Sequence, residues 1–478
     1  MLFFLFKLYN VAINSYFSQD DFFHLRIIMD KNITDIPDFF TSRLEGQTFY
    51  RPISRETYNL IMYKLFDLNP LSYHLVNLFL ILTNAIFLIL ITKKLDKTFL
   101  TVFLSTFIFL VSSVHSIELY YLSSIQTLLS TSLVLVSILF YIVYINFRHI
   151  NYFLASLLAF SVALLCHESA IILPGFILIL EAFYGGKFNV KSLAFKLIPY
   201  FILMIIFLIS TTSITSLPSQ KVYQPNFNIK SILNTFGWYI AWSVGFPEML
   251  VDFVKPGLKL KTEFMIWYKD YARIIFPIIF IYSAVLFLLF FQLRETLIKN
   301  KFLIFSVLAF VISLLPFLFF PQHKFVYYLS LGSIWFSAIF GTILSTAWRY
   351  SLIHKALVSL VILFLVLVSN RTTEINAKTY WAAKRAAAAK AILENFKKSY
   401  PNANKDTIFY IVDDPSYPDI AKEWGTSSQQ VFYILSGSDA LKLLYNKPSI
   451  KVYYEGSGGL PNNADKSKVI TIMAKFPY

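Results

Sequence analysis

Residues 301–347 read KFLIFSVLAFVISLLPFLFFPQHKFVYYLSLGSIWFSAIFGTILSTA. Two apolar runs, 301–320 and 325–347, are separated only by the polar corner Pro321-Gln322-His323-Lys324. About 20 apolar residues in a helix cross a hydrocarbon core roughly 30 Å thick, so this stretch reads as two spanning helices joined by a tight turn. Working outward, similar runs recur at 1–18, 71–92, 98–114, 122–146, 151–166, 170–184, 193–212, 272–292 and 352–370. Composition agrees. Apolar residues make up 57% of the chain and charged residues only 14%, against roughly 25% in a soluble domain. The 50 Phe and 30 Tyr exceed what a water-soluble core of this length would hide. The expected fold is an all-α polytopic membrane bundle of about eleven spanning helices, with one interfacial or re-entrant helix and a small C-terminal α/β domain. The membrane domain is drawn at 1–370 and the soluble one at 371–478.

The net charge of +15 does not point to nucleic acid, because Lys and Arg are dispersed over short loops and form no basic stripe with stacking aromatics. The positive-inside rule accounts for most of the excess. Lys93, Lys94 and Lys97, then Arg148, then Lys187 and Lys191, then Arg294, Lys299 and Lys301, then Arg349 and Lys355 mark alternate loops as cytoplasmic. The other face receives residues 19–70, the turn Val114–Tyr121, the corner Cys166–Ser169, the segment 213–271, the corner at 321–325 and the tail. Residues 230–250 (SILNTFGWYIAWSVGFPEML, beginning at Ser231 after Lys230) are long enough to span, but a crossing there would invert every later loop. They read as the interfacial or re-entrant helix. Cys166 is the single cysteine, so an internal disulfide and a thiolate metal cluster are excluded.

The tail opens with an Ala-rich helix over 377–398, in which Trp381, Ala388, Ile392 and Phe396 form a packing stripe. Strand-like runs follow at 407–412, 430–435, 450–454 and 469–474, with a helical segment at 438–444.

Polar residues gather at the outer helix ends. Asp20 and Asp21 stand at the mouth of the first span, four and three residues before His24, a spacing that puts all three on one helical face. Charge at a membrane boundary is costly and asks for a reason. Adjacent carboxylates raise one another's pKa, and one of them suits a general base; spacing leaves their roles interchangeable. His115 and Glu118 form a second corner, His167 and Glu168 a third, and His323, Lys324 and Tyr327 a fourth. The bland alternative at each is an ordinary solvated or snorkelling helix end.

Taken in order, these motifs resemble a family. Phe49-Tyr50-Arg51-Pro52-Ile53, then Phe66-Asp67-Leu68-Asn69-Pro70-Leu71-Ser72-Tyr73-His74-Leu75-Val76-Asn77-Leu78, then His115-Ser116-Ile117-Glu118, Cys166-His167-Glu168-Ser169 ahead of Leu173-Pro174, and His323-Lys324-Phe325-Val326-Tyr327-Tyr328-Leu329-Ser330 are similar to segments of the GT-C membrane glycosyltransferases, in the protein O-mannosyltransferase-like branch. The resemblance covers about the first 340 residues. It implies transfer of sugar from a polyprenyl-phosphate donor to a protein, lipid or glycan hydroxyl at the extracytoplasmic face, with inversion. It implies Asp20 as base, Asp21 as its partner, Glu118 as a second acid and Lys324 as a phosphate contact, with His24, Arg51, His115, His167, Glu168, His323 and Tyr327 around the substrates. A divalent metal, Mg or Mn, would fall to Asp21 and Glu118. Three features depart from the pattern: His167 where the family often has Lys, Lys324 in place of an Arg, and a tail without a 34-residue tetratricopeptide period. The competing reading, a transporter or flippase of lipid-linked sugars, would instead place ionisable groups near mid-membrane in broken helices of two related halves.

Overall fold

The structure is a computed structural model that describes all residues except 1, 45, 47, 187–188, 216–220, 256, 258, 404–405, 419–424 and 476–478. Lys187, expected in a cytoplasmic loop, lies outside the described residues. Each of the eleven apolar runs forms helix. Among the described residues, seven helical segments are long and apolar enough to cross a membrane: Pro70–Leu95, Leu122–Phe147, Val190–Ile214, Lys269–Gln292, Lys301–Leu318, Val326–Trp348 and Leu352–Thr379. Phe99–Leu110 and Val114–Tyr120, bent by 45°, make an eighth if taken as one span. The remaining three, Leu2–Ile13, Ile150–Leu164 and Leu173–Tyr184, have 12, 15 and 12 residues. At 1.5 Å per residue they rise about 18–22 Å, less than the hydrocarbon thickness. The shortness of these helices has a local cause. Polar corners such as Ser112-Ser113 and His167-Glu168 end helices early, where the Ser112 hydroxyl accepts from the Val114 amide, the His167 Nδ1 accepts from the Ser169 amide, and a short 3₁₀ turn follows at Glu168–Ile172. The chain is an integral multi-pass membrane protein.

Small residues set the closest helix approach. A Cβ on Gly341 would lie 2.6 Å from the Ser105 backbone nitrogen, so only glycine lets the Ser330–Trp348 helix meet Phe99–Leu110 at this distance. Residues 230–250 form the helix Ile229–Ser243, which is 15 residues long and is followed by a turn at Gly245 with φ +102°. That turn brings the Gly245 Cα against Val368 of the Leu352–Thr379 helix.

The Leu352–Thr379 helix runs past residue 371, and the break comes at Tyr380, whose extended ψ of 129° redirects the chain into Trp381–Ser399. The tail sheet is three parallel strands in the order Lys451–Tyr454, Ile408–Val412, Val469–Met473, with Phe409 opposite Val452 and Ile470. Residues 430–435, expected as a strand, belong instead to the helix Ser427–Leu435. Thr426 caps it, accepting from the Gln429 amide at 3.4 Å, and Ser436 closes it in the left-handed region. The buried set Ser427, Ser428, Val431, Ile434 and Leu435 follows helical spacing that the run of β-formers concealed.

One hydrophobic core joins the tail to the first outer loop: Phe17, Phe22, Leu25 and Leu122 pack with Ile392, Phe396, Phe409 and Val431. Arg26 pairs with Asp439 at 2.9 Å, and the Gln19 amide donates to the Ile434 carbonyl at 3.1 Å. The tail therefore sits on the same end of the bundle as Asp20.

Candidate active site

Gln19, held at φ 44°, turns the chain into the seven-residue helix Asp20–Arg26 and sends the two carboxylates in different directions. Asp21 is turned inward and only 4% exposed. Its Oδ2 accepts from the Ser18 amide at 3.0 Å, and its Oδ1 from the Ser123 amide at 3.0 Å and the Ser123 hydroxyl at 2.8 Å. Burial still outweighs these bonds and pushes its pKa up to about 7. Asp20 is half-buried at the mouth, where its Oδ2 accepts from the Tyr121 hydroxyl at 2.6 Å. Burial raises its pKa above the ordinary value, against the lowering effects of Tyr121 and of the nearby Arg385 guanidinium. His24 approaches the Ser123 hydroxyl through Nδ1 at 3.0 Å. Burial, with Arg55 and Arg51 close by, keeps its pKa well below the usual imidazole range, so it is neutral at pH 7.

Arg51 lies across from this pair. Its Nε and Nη2 donate to the Glu168 carboxylate at 2.8 and 2.5 Å, a bidentate fork, and Nη1 donates to the Gln126 side-chain oxygen. The guanidinium also lies 4.7 Å from the Phe49 ring centroid. The Glu168 side chain is 41% exposed and opens to the mouth. Burial pushes its pKa upward, but Arg51 prevails and holds it far below the usual carboxylate range. His167 accepts at Nδ1 from the Ser169 amide at 3.1 Å; burial and then Arg51 push its pKa down to about 3.

The fourth corner closes the ring of residues. His323 Nε2 meets the Tyr328 hydroxyl at 2.9 Å, and its ring lies 4.5 Å from that of Tyr223. Burial, then Arg51, lowers its pKa to about 4. The Tyr327 ring lies 5.0 Å from that of Tyr121, tilted by 39°, which links this corner to Asp20. Asp20, Arg51 and Glu168 all lie within electrostatic reach of the Tyr223 hydroxyl. Three of the four corners thus converge at one mouth.

Three expected members stand apart. His115 and Glu118 pair at 2.7 Å with side chains 1% and 0% exposed, and His115 Nε2 approaches the Phe109 carbonyl at 2.8 Å. Glu118 is sealed in the bundle and shares no contact with Asp20 or Asp21 among the described residues. Lys324 turns to its own backbone, donating to the Pro321 carbonyl at 2.6 Å, with Asp252 as its nearby countercharge. The candidate metal ligands Asp21 and Glu118 therefore do not meet. Among the described residues no three His, Cys, Asp or Glu side chains are grouped where they could hold a metal ion.

The sequence reading also missed members. Glu248 is buried beside the Trp381 indole, accepts from the Val326 amide at 2.7 Å, and has its pKa pushed up to about 8 by burial. It falls in the ambiguous segment 230–250. Trp381 leaves the stripe predicted for it: Ala388, Ile392 and Phe396 enter the tail core, while the Trp381 ring lies 5.2 Å from Tyr121. Arg385, which the sequence did not single out, bonds to the Gln19 side chain beside Asp20.

No family model matches the chain, and no curated protein matches it. Solved structures do. The apo crystal structure of ArnT from Cupriavidus metallidurans superposes with a TM-score of 0.51 over 94% of this chain and 84% of that one, at 11% identity. The chain has the GT-C fold. ArnT bound to undecaprenyl phosphate is also similar (TM-score 0.48, 10% identity, 94% and 84% covered). So is the archaeal oligosaccharyltransferase AglB from Archaeoglobus fulgidus in complex with an inhibitory peptide and a dolichol-phosphate (TM-score 0.49, 9% identity, 96% and 65% covered). The GT-C fold expected from the ordered motifs is thus present, and at these identities the likeness speaks to fold alone.

Proposed function

We propose that this GT-C chain is a membrane glycosyltransferase that moves a sugar from a polyprenyl-phosphate donor to a hydroxyl of a protein, lipid or glycan at the extracytoplasmic face. What carries the reading is the juxtaposition of a half-buried carboxylate, Asp20, with a fixed guanidinium, Arg51, at one mouth among the helix ends. ArnT, whose fold it shares, is recorded with undecaprenyl phosphate.

Each group has a task in that reaction. The acceptor oxygen attacks the anomeric carbon as its proton passes to Asp20, whose raised pKa makes it a stronger base than an ordinary aspartate. The bond from that carbon to the phosphate oxygen breaks, and the electron pair leaves with polyprenyl phosphate. Arg51 and Asp20 both lie within electrostatic reach of the Tyr223 hydroxyl, so Arg51, rather than Lys324, is the cation assigned to the phosphate; beyond its bonds to Glu168 and Gln126 a fork of one N–H on each Nη remains for two phosphate oxygens. Glu168 and Gln126 orient that fork, and Asp21 fixes the loop that carries Asp20. A single displacement of this kind inverts the sugar. The ionisable residues stand at helix ends, which favours this reading over a transporter with charges at mid-membrane.

Mass spectrometry of surface glycans and proteins from cells with and without the gene tests the proposal. A glycan or glycoprotein that loses one sugar residue in the deletion supports it; identical profiles with accumulation of no lipid-linked sugar contradict it.

A further inference from the structure

The segment after the last span contributes side chains to the mouth. Tyr380 redirects the chain, and the first residue of the next helix, Trp381, sets its ring 5.2 Å from Tyr121 at 60° and 6.5 Å from Phe325 at 64°. One turn on, the Arg385 guanidinium lies 5.3 Å from the Trp381 ring and 5.8 Å from the ring of Tyr433, which comes from the helix Ser427–Leu435. Arg385 also bonds to the Gln19 side chain and stands beside Asp20. The result is a strip running Phe325, Trp381, Arg385, Tyr433, edged by Asp20.

We propose that this strip is a pyranose-binding face, so that the C-terminal segment is part of the sugar site and not an appended module. The inference rests on the glycosyltransferase reading. A pyranose has an apolar face of C–H bonds and a rim of hydroxyls. It is matched by aromatic surface bordered by a guanidinium and a carboxylate, each able to engage neighbouring hydroxyls. The plain alternative is that Arg385 is only a staple between the tail and the first loop. A staple needs the bond to Gln19 alone. It leaves unexplained why Trp381 and Phe325 remain half-buried and Tyr433 39% exposed beside the acid of the site.

The ring bound here belongs either to the donor sugar or to an acceptor glycan, and one experiment separates them. Full-length protein in lipid nanodiscs is titrated with three probes: bare polyprenyl phosphate, polyprenyl phosphate carrying glucose, mannose or galactose, and free oligosaccharides of the same hexoses. Trp381→Leu should weaken a sugar-bearing probe about tenfold or more while bare polyprenyl phosphate stays within about twofold. Trp381→Phe, which keeps a ring, should recover most of the loss, and Arg385→Lys should weaken the same probe. Loss confined to the lipid-linked hexose assigns the face to the donor; loss confined to the free oligosaccharide assigns it to the acceptor. Sugar binding unchanged in Trp381→Leu, or a parallel loss of bare polyprenyl phosphate, overturns the inference alone. A wild-type protein that binds none of the three overturns the glycosyltransferase reading and this inference with it.

Discussion

The two adjacent aspartates show how far a pair of identical side chains can diverge. Asp21 has its oxygens engaged by Ser18 and Ser123, so its first duty is structural. Asp21→Ala should lower stability by about 1–3 kcal/mol, since the buried Ser123 amide loses its acceptor, and thermal unfolding in detergent would show it. Asp20→Asn should leave the melting temperature near that of the wild type. The cations separate in the same way. Arg51→Lys keeps the charge but loses the fork, and should raise the donor Michaelis constant several-fold, whereas Lys324→Ala should change it by less than about twofold. The pH dependence carries a definite sign. A base must be deprotonated, and burial raises Asp20, so kcat/KM should rise with pH through a midpoint above the ordinary carboxylate range near 4. His167 and His323 titrate at about 3 and about 4, so neither should add a limb near pH 6.5. A profile controlled by an unshifted carboxylate would argue against Asp20 as the base.

Elements were legible in the sequence to the extent that their period was. Apolar runs such as 301–320 and 325–347 appear as the helices Lys301–Leu318 and Val326–Trp348, because lipid and core both reward a continuous apolar helix. The corners were legible as places but not as directions. Nothing in the spacing of His115-Ser116-Ile117-Glu118 distinguishes a pair at the mouth from a pair sealed in the bundle; that is decided by Phe109 and the surrounding helices. The place of Trp381 and Arg385 at the mouth was not legible because their partners, Tyr121 and Gln19, are distant in sequence. The same limit applies to Gly245, whose need for a positive φ and a close approach to Val368 becomes visible only when two helices meet. Gly245→Ala combines strain at φ +102° with a Cβ 2.5 Å from Val368 Cγ1, and should lower the melting temperature by several degrees. An unchanged melting curve would mean that the turn relaxes freely.

At the scale of the whole molecule, the bundle positions and the outer layer completes. Loop 14–30, the turns near 112–124 and the tail share one core, which places the expected extracytoplasmic features together at one end. Sidedness is open to a direct test because the native Cys166 is buried. A cysteine at the exposed tail residue Lys451 should react with a membrane-impermeant maleimide in intact cells, and one at the exposed Lys94 should not. The reverse pattern would place the mouth on the cytoplasmic side. The central claim is that Asp20 takes the proton from an acceptor while Arg51 holds a lipid phosphate. It is tested most directly by measuring polyprenyl-phosphate release from a sugar-charged donor by the purified protein and by Asp20→Asn. The wild type should turn over, and the variant should bind the donor normally while turning over about 10² times more slowly. Equal turnover by the two proteins would contradict the account.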